Sequence, residues 1–126
     1  MTQNDKELLL KDLCARLPYN VKVKVECGDI PYGPTVLSKL DIKRKVALFD
    51  FEVRVENCKP YLRPMSFMTE EEKEEYCNLQ AKFLYSSQYP VTDAYGLFDW
   101  LNKNHFDYRG FIEKGLALEA PKGMYN

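Results

Sequence analysis

Residues 21–27, Val21-Lys-Val-Lys-Val-Glu-Cys27, alternate without a break: Val21, Val23, Val25 and Cys27 fall on one face, Lys22, Lys24 and Glu26 on the other. A period of two marks a strand with one side in a core and the other in water. Immediately upstream the period changes. Across Asp5–Arg16, residues Leu9, Leu13 and Leu17, joined by Leu10 and Cys14, recur every three to four positions, which reads as a helix. Thr2 or Asn4 supplies its cap and Pro18 ends it. A helix running into an alternating strand sets the class as α+β.

Gly28–Pro34 reads as a loop from its Gly and Pro content. Val36–Ile42 is a second strand with a turn near Lys43-Arg44, followed by Val46–Phe51 and Val53–Asn57. Short strands with brief connections fit both a small antiparallel sheet covered by helices and an SH3-like barrel. Lys59–Met68 holds two prolines and no periodicity, so it reads as a crossover or strand end. Thr69-Glu-Glu-Glu72 is a capping box, and Glu70, Glu71, Glu72, Glu74 and Glu75 match the positive end of a helix dipole. That helix is expected over 70–85, with Tyr76, Leu79, Phe83 and Leu84 as its apolar stripe. Ser86–Pro90 reads as a loop, and Asp93–Asn104 as a third helix with Ala94, Leu97, Phe98 and Leu101 on one face. Asp107 caps a short helical turn over 108–114, Gly115 closes it, and Leu116–Glu119 is a final short strand. The expected architecture is one domain over 1–126: an N-terminal helix, a small sheet or barrel, two further helices and a short C-terminal strand.

Composition bounds the chemistry. A chain of 126 residues, 45% hydrophobic and 29% charged, can bury a core without disulfides or metal. No apolar run approaches the roughly 18 residues of a membrane span, and the start MTQNDKELLLKDL, with acidic residues and no long apolar stretch, does not read as a signal peptide. A cytoplasmic protein without membrane contact is expected. The net charge of −1 divides unevenly: residues 1–63 carry 12 Lys/Arg against 9 Asp/Glu, residues 64–126 carry 6 against 10. The basic half is too weakly charged for a strong electrostatic nucleic-acid binder. A local basic patch at Lys43, Arg44 and Lys45, extended by Lys22, Lys24 and Lys39, is the candidate for one; Glu26, Glu52 and Glu56 dilute it.

Cys14, Cys27, Cys58 and Cys77 lack close metal-ligand or redox spacing, and the single His105 cannot complete a Cys/His set. Reduced, partly buried thiols are expected, with no metal and no cofactor. His105 is also the only imidazole available to a triad, and no G-x-S-x-G motif stands anywhere in the chain. The glycines are dispersed, with no phosphate-binding loop among them. A non-enzymatic protein is expected.

What remains is an aromatic concentration at the C-terminal end: Tyr95, Phe98, Trp100, Phe106, Tyr108 and Phe111, threaded with polar side chains. Such mixtures serve binding surfaces and small cores alike. Leu97, Phe98 and Leu101 have a core assignment on the third helix. Trp100, Asn102, His105, Tyr108 and Arg109 do not, and they are the candidate binding residues. Within Asp107-Tyr-Arg-Gly110 a local Asp107–Arg109 ion pair is expected, and Arg109 beside Tyr108 and Trp100 would make a hot spot or an anion clamp.

Two long strings, Lys59-Pro-Tyr-Leu-Arg-Pro-Met-Ser66 leading into Met68-Thr-Glu-Glu-Glu72, and Asp99-Trp-Leu-Asn102 through His105-Phe-Asp-Tyr-Arg-Gly110 to Gly115-Leu-Ala-Leu-Glu-Ala-Pro121, resemble a family of small proteins of gut Bacteroidetes and their phages or mobile elements. Lys11–Tyr19 also fits that pattern. The resemblance brings no catalytic residue with it. It implies an accessory protein that binds and blocks a host protein, possible counter-defence included. Two other readings stand beside it: a sponge that sequesters a nucleotide-type ligand by aromatic stacking and Arg/Lys, and a small nucleic-acid-binding module. Homo-oligomerisation is compatible with the first.

Overall fold

The computed structural model describes residues 1–26, 28, 31–49, 51–85 and 88–125. Of the positions read above, Cys27, Asp29 and Ile30 in the Gly28–Pro34 loop, Asp50 within Val46–Phe51, and Ser86 and Ser87 in the Ser86–Pro90 loop lie outside the described residues. Helix α1 spans Gln3–Arg16. Thr2 is its cap: the Thr2 hydroxyl accepts from the Asp5 N–H at 3.1 Å, and the Asp5 carboxylate accepts from the Thr2 N–H at 3.2 Å. A 3₁₀ turn over Leu17–Tyr19 carries Pro18, and the chain reverses through Asn20 at φ 58°.

Strands β1 (Lys22–Val25), β2 (Tyr32–Val36), β3 (Leu40–Asp41), β4 (Val46–Leu48), β5 (Glu52–Arg54), β6 (Cys58–Leu62) and β7 (Leu118–Glu119) form two sheets. One has the order β2-β1-β6-β7 and the other β3-β4-β5. All neighbours are antiparallel except β6 and β7, which run parallel. Among the described residues the sheets share no strand, so they are open sheets rather than a closed barrel. Helices α2 (Glu70–Tyr85) and α3 (Pro90–Lys103) form an antiparallel hairpin between β6 and β7 in sequence.

Four segments depart from the sequence expectation. Tyr32, Gly33 and Pro34 belong to β2 rather than to a loop; β2 is an edge strand, where a residue without an N–H is tolerated. Gly33 has φ 117°, and a Cβ there would stand 2.6 Å from the Val23 carbonyl oxygen, so close backbone approach requires glycine. Val36 ends β2, and the chain turns inward at buried Leu37 before β3, which splits the strand expected over 36–42. Residues Val55–Asn57 form a 3₁₀ turn.

The fourth concerns β6, whose Pro60 sits inside a sheet. The Glu26 N–H donates to the Asn57 carbonyl at 2.7 Å, which sets the phase of the β1–β6 ladder. The pair Val23–Pro60 then falls at a non-hydrogen-bonded position, where a missing N–H breaks no rung. On the far side, Pro90 opens α3 at its first turn, where the absent N–H has no helical partner to lose.

Two apolar clusters result. The larger packs Leu9 and Leu13 of α1 against Val21, Val23, Val25, Ala47, Val53, Cys58, Leu62 and Phe111. The smaller gathers Met68, Leu97, Leu101 and Phe106, with Tyr76, Leu79, Phe83 and Trp100 half-buried around them. No helix among the described residues is long and apolar enough to cross a membrane.

Candidate functional site

The five residues singled out at the C-terminal end lie along the seam between the two apolar clusters. Trp100 is half-buried and stacks between Tyr76 (centroids 6.0 Å apart, planes 16° apart) and Phe106 (5.7 Å, 27°). Asn102 is buried, and its side-chain oxygen accepts from the Tyr108 hydroxyl at 2.9 Å. Arg109 does not pair with Asp107: its Nε donates to the Asp12 carboxylate at 3.1 Å, and its guanidinium lies 5.1 Å from the Tyr108 ring centroid. Asp107 instead accepts from the backbone N–H groups of Phe111 (2.8 Å) and Ile112 (2.9 Å), capping the turn that follows.

The other oxygen of Asp12 accepts from Arg16 at 2.9 Å, and Arg16 also donates to the Phe106 carbonyl at 2.6 Å. α1 is thereby tied to the segment beyond α3 through a charge network centred on the buried Asp12 and Arg16.

His105 is 6% exposed and has φ 61°, so the chain turns sharply after α3. Its carbonyl accepts from the Arg63 N–H at 2.7 Å, adding the segment to the end of β6, and its ring stacks on Tyr125 at 3.7 Å. Burial, with Arg16, Arg63 and Lys22 nearby, pushes the imidazole down to about 4, so it is neutral near pH 7; among the described residues Nδ1 has no hydrogen-bond partner. Tyr125 in turn threads its hydroxyl between β1 and β6, accepting from the Lys22 N–H at 2.9 Å and donating to the Tyr61 carbonyl at 2.7 Å. The thiols are varied: Cys58 is buried and pushed up to about 12 by desolvation, Cys14 is half-buried and Cys77 exposed. Among the described residues, no group of three His, Cys, Asp or Glu side chains stands together where it could hold a metal ion.

Lys43, Arg44 and Lys45 occupy the exposed β3–β4 turn. Arg44 makes a bidentate pair with Glu52, and its N–H donates to Asp41 at 3.0 Å. Arg44 and Lys45 line a cleft of about 360 Å³ against α1, where Lys6 and Arg54 both approach Glu56 (3.6 and 3.8 Å). Cations and carboxylates alternate there, which keeps the local potential low. Lys22 and Lys24 belong to the other sheet, and the Lys22 ammonium is tied to the Met124 carbonyl at 3.0 Å.

A second cleft, about 570 Å³, opens between the start of α2 and the C-terminal residues Ala120–Tyr125. Its size suits a nucleotide-type ligand. Of the two cations in its lining, Arg63 and Lys122, Arg63 is already held by both oxygens of Glu72 (2.8 and 2.7 Å), which keeps the Glu72 carboxyl below its ordinary range.

The third concavity, about 360 Å³, has the most uniform lining: Phe83 of α2 and Pro90, Val91, Ala94, Tyr95 and Phe98 of α3. Of its lining, Val91, Tyr95 and Phe98 are exposed by 46–73%, and Leu84, Tyr85 and Tyr89, close by in sequence, are exposed as well. Sequence reading placed Leu84 and Phe98 on buried stripes, but both point outward. α3 carries two apolar stripes: Leu97 and Leu101 face the protein, while Val91, Tyr95 and Phe98 face away from it at helical spacing. The second stripe was the available signal, and assigning Phe98 inward with Leu97 concealed it. This face meets the seam where Phe98 contacts Tyr108, their centroids 5.5 Å apart.

Comparisons with protein-family models, with curated protein sequences and with solved structures found no match to this chain.

Proposed function

We propose that this chain is a non-enzymatic binding protein that acts in the cytoplasm on a host protein, and that the outward face of the α2–α3 hairpin is its docking surface. The observation that carries the reading is the apolar concavity lined by Phe83, Pro90, Val91, Ala94, Tyr95 and Phe98, in which the large side chains Val91, Tyr95 and Phe98 are left in water. Monomeric proteins rarely leave so much apolar surface together, and where they do it marks an interaction site. Aromatic side chains of this kind supply most binding energy at interfaces. The resemblance to proteins of phages and mobile elements of gut Bacteroidetes gives the biological setting: an accessory factor that inhibits a host component, with counter-defence as the role.

The seam residues Trp100, Asn102, His105, Tyr108 and Arg109 then serve chiefly to hold the hairpin at its angle to α1 and the sheets, with Tyr108 and Arg109 at the rim of the docking face. The test is affinity capture from Bacteroides lysate with the wild-type chain, the double variant Val91→Glu/Tyr95→Glu, and Arg44→Ala. A protein retained by wild type and Arg44→Ala and lost with the double variant supports the reading. Equal retention by all three, or none by any, contradicts it.

A further inference from the structure

β1 and β6 pair at Val25–Cys58, Lys24–Lys59 and Val23–Pro60, and the register ends there. With Val23–Pro60 at a non-hydrogen-bonded position, the next pair, Lys22–Tyr61, falls where an antiparallel ladder makes its bonds. The Lys22 N–H takes a different partner. It donates to the Tyr125 hydroxyl at 2.9 Å, and that hydroxyl donates onward to the Tyr61 carbonyl at 2.7 Å. A phenol 103 residues along the chain from Lys22 thus stands inside the rung.

The segment that brings it there is lightly held. The Ala120 N–H donates to the Leu62 carbonyl at 2.8 Å; after it, among the described residues, no backbone bond joins 121–125 to the rest of the chain. Within the segment the Met124 N–H donates to the Pro121 carbonyl at 3.1 Å. Apart from the Tyr125 hydroxyl, it is tied by the Lys22 ammonium on the Met124 carbonyl at 3.0 Å and by the Tyr125 ring stacked on His105 at 3.7 Å. Pro121, Lys122 and Gly123 are exposed. A segment held by side chains, without backbone rungs, opens locally at low cost.

We propose that residues 121–125 form a strap with two positions, latched by Tyr125. On the sheet, its hydroxyl occupies the Lys22–Tyr61 rung. Off the sheet, Lys22 and Tyr61 close that rung directly, and the cleft of about 570 Å³ loses the wall that Pro121–Tyr125 supply.

The chemistry of the latch makes both positions possible. A hydroxyl accepts and donates at once, so it bridges a strand N–H and a strand carbonyl that match each other when it leaves. A purely accepting or purely donating side chain would leave one of them unpaired in the docked position. Release gives up the stack on His105 and the Lys22–Met124 bond, so the docked position is the major one. A ligand filling the cleft touches the strap only when it is docked, and so would hold it there. None of these residues lines the α2–α3 concavity, so the inference is independent of the docking face.

The experiment is NMR on the full chain for wild type, Tyr125→Phe and Tyr125→Ala, with the amide spectrum confirming the fold. Two quantities are read: the scalar coupling across a hydrogen bond between the Lys22 nitrogen and the Tyr61 carbonyl carbon, and backbone relaxation at 122–125. Wild type is expected to show no such coupling, with relaxation dispersion at Lys22, His105 and Met124 from a released state of the order of 1%. Tyr125→Phe keeps the ring but sets a C–H between donor and acceptor. In it, as in Tyr125→Ala, the coupling is expected to appear and order parameters at 122–124 to fall below about 0.6. A coupling already present in wild type overturns the proposal, as does wild type without dispersion at those amides. Folded variants that lack the coupling, or a strap that stays ordered in Tyr125→Phe, overturn it too. The wild-type measurements decide by themselves if neither variant folds.

Discussion

Asp12 and Arg16, one turn apart on α1, form an ion pair at 2.9 Å with neither side chain exposed at all. The second Asp12 oxygen takes Arg109 at 3.1 Å, and Arg16 reaches across to the Phe106 carbonyl. One carboxylate thus joins the N-terminal helix to a segment 97 residues later in the chain.

Removing one member of a buried pair strands the other's charge, which costs far more than the pair's net contribution. Asp12→Ala is expected to destabilise the protein by about 3–5 kcal/mol. The double variant Asp12→Leu/Arg16→Met, which removes both charges and keeps the volume, is expected to recover a large part of that loss. Urea denaturation of the three proteins checks it. Equal loss in single and double variants would show that geometry, not stranded charge, sets the cost.

His105 makes stability depend on pH in a defined window. Its folded value of about 4 lies below its ordinary 6.5, so the unfolded chain binds the proton more readily. Stability therefore rises with pH between about 4 and 6.5, and the contribution is full above that window and lost below it. The shift corresponds to up to ~3 kcal/mol. His105→Asn keeps a residue that tolerates the left-handed backbone and removes the titration. The difference in unfolding free energy between wild type and His105→Asn is expected to change by that amount from pH 7 to pH 4. A pH-independent difference would place the neutral imidazole outside the stabilising network.

Thr69 and Glu72 anchor the hairpin that carries the proposed docking face. The Thr69 hydroxyl accepts from the Glu72 N–H at 3.1 Å, the Glu72 carboxylate accepts from the Thr69 N–H at 3.0 Å, and the same carboxylate holds Arg63. Thr69→Ala is expected to cost about 1 kcal/mol. Glu72→Gln is expected to cost more, because it breaks the link from α2 to β6 as well as the cap. Thermal denaturation checks the order of the two; Thr69→Ala costing as much as Glu72→Gln would remove the Arg63 bond from the account.

The sequence carried the elements well where one physical signal dominated. The capping box Thr69-Glu-Glu-Glu72 and the apolar period placed α2 at 70–85, the bounds observed. The alternation of Val21, Val23 and Val25 placed β1 and its buried face. Prolines misled the reading in three places, since Pro34, Pro60 and Pro90 each stand where no N–H is required: an edge strand, a non-hydrogen-bonded pair and a first helical turn. The local spacing of Asp107 and Arg109 suggested a mutual ion pair, but Asp12 is the partner, and no local pattern reveals a contact 97 residues distant. The proposed docking face is only partly legible in the sequence. Tyr95 and Phe98 were counted among the aromatics, yet α3's apolar residues cover more than one face, and periodicity alone does not say which stripe the rest of the protein covers.

The central claim is a division of labour: the aromatic and polar seam holds the fold, and the outer face of the hairpin binds. Thermal stability and partner retention, measured together on Tyr108→Phe and Tyr95→Glu, test it most directly. Tyr108→Phe removes the hydrogen bond to Asn102, and is expected to lower Tm while binding persists. Tyr95→Glu, at a side chain 73% exposed, is expected to leave Tm nearly unchanged while binding is lost. Loss of binding in Tyr108→Phe at unchanged Tm, with Tyr95→Glu still binding, would contradict the account.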